Sequence, residues 1–370
     1  MIYMFAPLGN PYDRTRLVKF IRCYRNAGIN VEFIGWARQS SEEECKKIDL
    51  PVSHILKGGG YGTKSRRFYP LWFFSVFLKA LQLPAKSQVH ALGWESAFPI
   101  LIASFIKKHK IIFDDADRFS MILNLPKPLG VFIQFLERAT SGKVQYHIIP
   151  SYSRYTWKNK TMFVIKNTPT SWDIKSVLKK KISKKNNIKE RPLNVYINGW
   201  VGDTRGAKIF LEVFRKLASE NRNIIIIFAG RVDSQHGIDL IELPNVRNMG
   251  SLSQKEALEL YANTDVVITY YDPAIEINTR AESNKWGDCV AFNVPFIVNS
   301  EVETAIDFVE NGCAWSIKYH DNNELYKLLL KLESHREYIL SAKKNFSKLN
   351  SEYMVFDKKV EQLIEGLQDE

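Results

Sequence analysis

At 370 residues the chain is too long for one ordinary core, so two domains are expected. Composition is ordinary for a globular protein (45% hydrophobic, 25% charged), and Cys23, Cys45, Cys289 and Cys313 stand far apart with no CxxC and no histidine at metal spacing, which excludes a zinc framework and a secreted disulfide framework and favours a reducing compartment. The net charge of +12 asks for an anionic partner and leaves nucleic acid, anionic lipid and phosphorylated small molecules all open.

Ile2–Phe5 reads as a strand with no basic segment before it and with Asp13, Arg14 and Arg16 soon after, so a domain's first strand is expected rather than a signal peptide. Arg14–Ala27 reads as a helix ended by Gly28, and Val31–Trp36 as a second strand. The apolar stretch Pro70–Leu83 is interrupted by Lys79 and is too short to span a bilayer. Strands follow at Gln88–Leu92, Lys110–Asp114, Val144–Pro150 and Met162–Ile165, with a helix at Phe98–Lys107. Strand and helix alternating at this spacing predict right-handed βαβ units and a parallel sheet, in a first domain over 1–165.

Residues 166–192 are rich in lysine (Lys175, Lys179, Lys180, Lys181, Lys184, Lys185, Lys189, then Arg191 before Pro192) and read as a basic interdomain connection. The alternation restarts in a second domain over 193–345. Strands are expected at Leu193–Ile197, Asn223–Ala229, Val266–Thr269 and Phe296–Asn299, and helices at Gly206–Ser219, Gln254–Ala262 and Asn284–Phe292. Ile224 to Ile227 are all isoleucine, the pattern of a parallel strand covered on both faces. A last helical pattern within 352–370 has nothing after it to pair with and is expected to pack back on the first domain. The fold class is α/β, two doubly wound Rossmann-like domains.

In open parallel sheets, ligands bind at the carboxyl ends of strands, where helix N-termini offer free N–H groups to anions. The loop Asn198 to Lys208 holds Gly199 and Gly202, which let the backbone approach a phosphate, and Arg205 and Lys208, which can neutralise it. A plain glycine-rich turn is the competing reading. In the loop from Arg280 to Val298, Ser283 is a plausible N-cap, Lys285 adds a positive charge, and Asp288 stands one turn on, where its carboxylate could accept from both ribose hydroxyls. Here the competing reading is a capped helix whose Asp288 only favours the dipole.

Ser283-Asn284-Lys285-x-x-Asp288-x-x-Ala291-x-x-Val294-Pro295 resembles the Asn-Lys-x-x-Glu-Tyr-Met-Ala-x-Gly-x-Pro motif of GT-B glycosyltransferases, in the large family-4-like group. The segment Gly199 to Gly206 resembles that group's phosphate loop, and Asn245–Gly250 with Leu260–Ile268 is similar to the run between the two motifs. In the first half, Ala6-Pro7-Leu8-Gly9 resembles the first glycine loop, Val89–Glu95 and Asp114–Asp117 the two further loops, and Lys166–Pro169 the Asn-x-Pro at the domain junction. The chain departs from the pattern at Asp288, where the family has Glu, at Trp200, where it has the phosphate-loop Arg, and at Ala116, where it often has His. Eight positions before Asp288, where many members carry another Glu, stands Arg280, with Glu276 and Glu282 the nearby acids.

The resemblance implies two domains facing a cleft (GT-B) and sugar transfer from a nucleotide diphosphate, UDP favoured over GDP, without a metal or other cofactor. Arg205 and Lys285, with Lys208 in reserve, would stabilise the leaving phosphate. Asn284 and Asp288 would help hold the nucleotide, and Gly9 would let its loop close over the phosphates. His90 and Glu95 would contact sugar or acceptor, with a satisfied structural histidine as the competing reading of His90, and Asp115, Asp117 and Glu282 would form the catalytic set. Retention of anomeric configuration is implied; an inverting enzyme would take its base from Asp114, Asp115 or Asp117, which otherwise cap the following segment. The acceptor expected is a glycan or a polyprenyl-diphosphate-linked saccharide in bacterial surface polysaccharide or lipopolysaccharide synthesis. Cations followed by aromatics between Lys64 and Lys79, with Trp72, Phe73 and Phe77 as inserting groups, suggest an anionic membrane surface and a peripheral cytoplasmic location; a buried helix is the competing reading. A sugar-nucleotide epimerase and a basic nucleic-acid-binding protein are the alternatives, the second lacking any recognisable binding module.

Overall fold

Strand β1, Ile2–Ala6, is apolar throughout and buried throughout, which places it inside a sheet covered on both faces. In a computed structural model of the protein, residues 1–39, 49–61, 65, 67–122, 126–181, 191–349 and 353–368 are described. The chain divides into two units, Met1–Ile165 with Lys359–Glu370, and Lys166–Lys358.

In the first unit β1 is followed by α1 (Thr15–Asn26), β2 (Val31–Ala37), β3 (Val52–Lys57), α2 (Tyr69–Gln82), β4 (Gln88–Leu92), α3 (Trp94–Lys107) and β5 (Lys110–Asp114). Then come α4 (Phe119–Ile122), α5 (Lys127–Ser141), β6 (Tyr146–Ile149) and β7 (Met162–Val164). The strands form one parallel sheet in the order β3-β2-β1-β4-β5-β6-β7. Right-handed crossovers put α1, which leads from β1 toward one edge, on one face; α2, α3 and α5 lead toward the other edge and share the opposite face. The core on that face gathers Trp36, Trp72, Val76, Trp94, Ile100 and Phe113.

Two expectations are corrected here. Helix α3 starts at Trp94 rather than Phe98: burying Trp94 and Ala97 outweighs the hydrogen bond that Pro99, inside the helix, cannot donate. Trp72 is a core residue, fully buried with its ring stacked on Trp36 at 6.0 Å, and is therefore no inserting group. Lys64, Arg66 and Cys45 lie outside the described residues.

The second unit opens with α6 (Ser171–Lys181), a helix where the sequence suggested a connection; 182–190 lie outside the described residues. It continues through β8 (Leu193–Asn198), α7 (Ala207–Ser219), β9 (Ile224–Ala229), α8 (Gln235–Ile241), β10 (Val246–Asn248), α9 (Gln254–Tyr261) and β11 (Val266–Thr269). After α10 (Glu276–Thr279) come α11 (Asn284–Phe292), β12 (Phe296–Asn299), α12 (Ile306–Glu310), β13 (Ala314–Ile317), α13 (Asn322–Ser334) and α14 (Glu337–Asn345). These strands pair in parallel in the order β10-β9-β8-β11-β12-β13. The closing helix α15 (Phe356–Gln368) starts in the second unit, and its residues from Lys359 onward belong to the first. Among the described residues no helix is long and apolar enough to cross a membrane.

Candidate functional site

In the second unit the chain leaves β8 at Gly199, whose φ of +100° is one that a side chain would strain. Space is short as well: a Cβ at Gly199 would stand 3.2 Å from Lys285 Nζ. Strand β9 delivers a second glycine beside it, since a Cβ at Gly230 would meet the Gly199 carbonyl oxygen at 1.8 Å. The two turns are thus packed backbone to backbone, with a lysine side chain against one of them.

Lys285 is held there by α11. Ser283 caps this helix, its Oγ accepting from the Lys285 N–H at 3.3 Å. Trp286 anchors the first turn: fully buried, it stacks on Phe296 at 5.6 Å, and its Nε1 donates to Thr269 Oγ1 at 3.1 Å. Asn284 stays exposed, and Gly202 is buried beside the Asp233 carboxylate. Asp288 follows one turn later, half-buried. Burial first, and the Asp288 charge second, push the Tyr196 and Tyr261 hydroxyls up from their ordinary pKa. Those two rings meet edge to face at 5.2 Å.

Arg205 is the second cation. Its guanidinium lies 4.2 Å from the centroid of the Tyr271 ring and 5.6 Å from that of exposed Trp200. Its Nη1 is buried and makes no hydrogen bond among the described residues, so the loop presents a donor whose partner would be an incoming acceptor group. Lys208 is exposed on α7. Glu282, expected in the catalytic set, is buried and ion-paired with Lys166 at 2.9 Å, and Lys166 also donates to Tyr353 Oη at 3.2 Å. The pair stands beside the start of α11.

The first unit sorts its acids by burial. Asp114, at the end of β5, accepts from Arg16 Nε at 2.9 Å and pairs with Arg16 Nη2 at 2.9 Å, while His90 Nε2 stands 3.8 Å away. Burial is the largest single influence and would raise the Asp114 pKa, but the Arg16 charge, together with the Arg16 and His90 hydrogen bonds and the His90 charge, holds the carboxyl below its ordinary value. His90 is fully buried and its Nδ1 lies 2.9 Å from Tyr24 Oη, which places it within this cluster, as the structural reading of a lone histidine has it. Asp115 is also buried, accepting from Tyr155 Oη at 2.7 Å with His147 Nε2 at 3.5 Å. Asp117 alone among the three stays open to solvent, its nearest cation being Arg154 at 3.6 Å. Glu95, in the first turn of α3, is pushed up to about 8 by burial, with the neighbouring Asp115 and Glu137 charges adding to it. Gly9 is buried, and its carbonyl accepts from His54 Nε2 at 2.7 Å.

Sequence reasoning missed Gly230, Tyr271 and Tyr196, and met Tyr261 only within the Leu260–Ile268 run that resembles the family. Gly230 did carry a signal, a glycine directly after the buried strand that ends at Ala229; Tyr196 and Tyr271 carried none, being ordinary core aromatics by pattern. Among the described residues no group of three His, Cys, Asp or Glu is placed to hold a metal ion.

No family model matches the chain, and no curated protein matches it in sequence. Solved structures do. HepE from Anabaena, in complex with UDP and glucose, shares 14% identity at a TM-score of 0.66, over 100% of this chain and 99% of that one. Sucrose-phosphate synthase from Thermosynechococcus elongatus shares 11% at a TM-score of 0.67, over 100% and 98%. A UDP-N-acetylglucosamine 2-epimerase shares 11% at 0.57, over 93% and 90%. At such identity the likeness is one of architecture, and together with two parallel sheets flanked by helices it establishes that the chain has the GT-B fold.

Proposed function

We propose that the protein is a glycosyltransferase that moves a sugar from a nucleotide diphosphate donor, UDP favoured, to a glycan or lipid-linked saccharide acceptor. The observation that carries this is the meeting of Lys285, at the start of a capped helix, with the Gly199 turn, beside Arg205 and its unbonded Nη1. In this reading the diphosphate lies over the turn, Lys285 and Arg205 neutralise it, and Asp288 accepts from the ribose hydroxyls. The bond between the anomeric carbon and the phosphate oxygen breaks as the acceptor oxygen bonds that carbon. The acceptor's proton passes to the departing phosphate if configuration is retained. Positive charge from Arg205 and Lys285 stabilises the leaving group where it develops, with no metal assigned to that role. If configuration is inverted, Asp117 is the base, because Asp114 and Asp115 are buried and engaged.

UDP is favoured because it occupies a structure of the same fold. The surface-polysaccharide acceptor and the cytoplasmic membrane location remain the reading drawn from the sequence. The likeness to a UDP-N-acetylglucosamine 2-epimerase favours a second reading, an isomerase of the donor that needs no acceptor. Incubation with a panel of UDP- and GDP-sugars, with and without saccharide acceptors, separates the two. Transfer predicts acceptor-dependent release of nucleoside diphosphate; an isomerised donor formed without acceptor would replace it by the second reading, and no turnover of any nucleotide sugar would end both.

A further inference from the structure

We infer that the layer formed by α2, α3 and α5 is a docking face for an anionic lipid surface. This deepens the membrane part of the proposed function and rests on that part alone.

A helix packed on a sheet ordinarily turns its apolar stripe inward and its polar face to water. Helix α5 does not. Its inward side carries Ile133, Leu136 and buried Glu137 and Thr140, while Val131, Phe132 and Phe135, at helical spacing on the other side, point outward. The last turn of α3 repeats the inversion with Phe105 and Ile106, and α2 adds Phe74. These six side chains are between 55% and 71% exposed. The helices are neighbours: Phe73 of α2 lies 5.5 Å from Phe98 of α3, and Trp94 of α3 donates to Thr140 of α5 at 3.1 Å. Six exposed large apolar side chains on one layer of neighbouring helices mark an interaction surface.

Charge selects the occupant. Lys143 Nζ lies 5.4 Å from the Phe105 ring centroid, at the edge of the apolar face, and Lys107, Lys127 and Arg138 stand on the same helices. The three helices hold only two acids. Glu137 is buried and paired with Arg118 at 3.0 Å, and Glu95 stands at the opposite end of α3 from Phe105. A two-fold contact between copies would bring these cations together with no exposed acid to pair them. Anionic headgroups supply the missing charge, and the acyl boundary takes the aromatics.

Flotation with vesicles of phosphatidylcholine plus phosphatidylglycerol, and of phosphatidylcholine alone, tests this without donor or acceptor, so its failure is separate from failure of the sugar-transfer reading. The wild type should float with the anionic vesicles. The triple variant Phe105→Glu, Phe132→Glu, Phe135→Glu should bind about tenfold less or weaker still, with an unchanged melting temperature because all three positions are exposed. A second variant, Lys127→Glu with Arg138→Glu and Lys143→Glu, should lose the salt-sensitive part of binding. Absence of wild-type binding, or a triple variant that floats like the wild type, overturns the inference. So does a wild-type dimer in light scattering that the triple variant makes monomeric, which would assign the face to a second copy of the chain.

Discussion

Lys285 Nζ lies so close to the Gly199 turn that a single added methyl on Gly199 would come within 3.2 Å of it. The two residues come from different βα loops of one sheet, and nothing but the fold brings them together. Their meeting supplies what a diphosphate needs, a backbone it can approach and a cation over it.

Replacing Lys285 or Arg205 by Ala should therefore lower turnover far more than stability. Each removes a charge from the leaving group, an effect on the order of tenfold to a thousandfold in rate. Neither side chain fills the core, so melting should shift little. Initial rates of nucleoside diphosphate release beside melting curves check this; full rates in both variants would place the phosphate elsewhere.

Asp288→Ala should weaken nucleotide binding by about 1–3 kcal/mol, the worth of hydrogen bonds to a charged acceptor. Calorimetric titration with UDP reads it directly. Unchanged affinity in a folded variant would take Asp288 out of the site.

Glu95 makes a pH prediction. Its folded pKa of about 8 lies above the ordinary carboxyl value of 4.5, so between those limits the folded state holds a proton that the unfolded state has released. Stability is lost on that account as pH rises from 4.5 through 8. Glu95→Gln removes the loss: melting temperature should depend less on pH across this window, and the variant should gain on the order of 1–3 kcal/mol over wild type at pH 9, a figure discounted for the water the side chain still meets. Parallel melting curves for variant and wild type would refute the assignment.

Trp72→Ala should cost about 3–5 kcal/mol, since a fully buried indole stacked on Trp36 leaves a cavity that the sheet cannot close. Denaturant unfolding measures it. A loss below about 1 kcal/mol would contradict the core placement.

The fold was legible wherever burial on both faces leaves an unbroken apolar run. Ile224–Ala229 and Phe296–Asn299 are such runs, and each strand formed within a residue of its expected limits. Helix α11 was legible for a different reason, the Ser283 cap that starts it. What stayed hidden violates those patterns. Helix α5 offers neither signal: no side chain caps its start at Pro126, and its apolar residues lie on an exposed side as well as on the packed one. Lysines masked α6, because charge was read as a linker signal where the helix only needed a solvated face. In the site, single loops were readable and partnerships were not. Nothing local in Arg205 announces that Tyr271, beyond β11, will lie 4.2 Å from it, and nothing in His90 shows that Asp114 and Tyr24 will close around it.

The central claim is that a nucleoside diphosphate binds at the Gly199 turn under Lys285. Thermal denaturation of wild type and Lys285→Ala, each titrated with UDP, tests it most directly. A ligand that binds only the native state at about a hundred times its dissociation constant adds about 2.7 kcal/mol. The account predicts that the wild type gains such stabilisation and that Lys285→Ala, equally stable without ligand, gains much less. Equal stabilisation of both proteins, or none of the wild type by UDP or GDP, would contradict it.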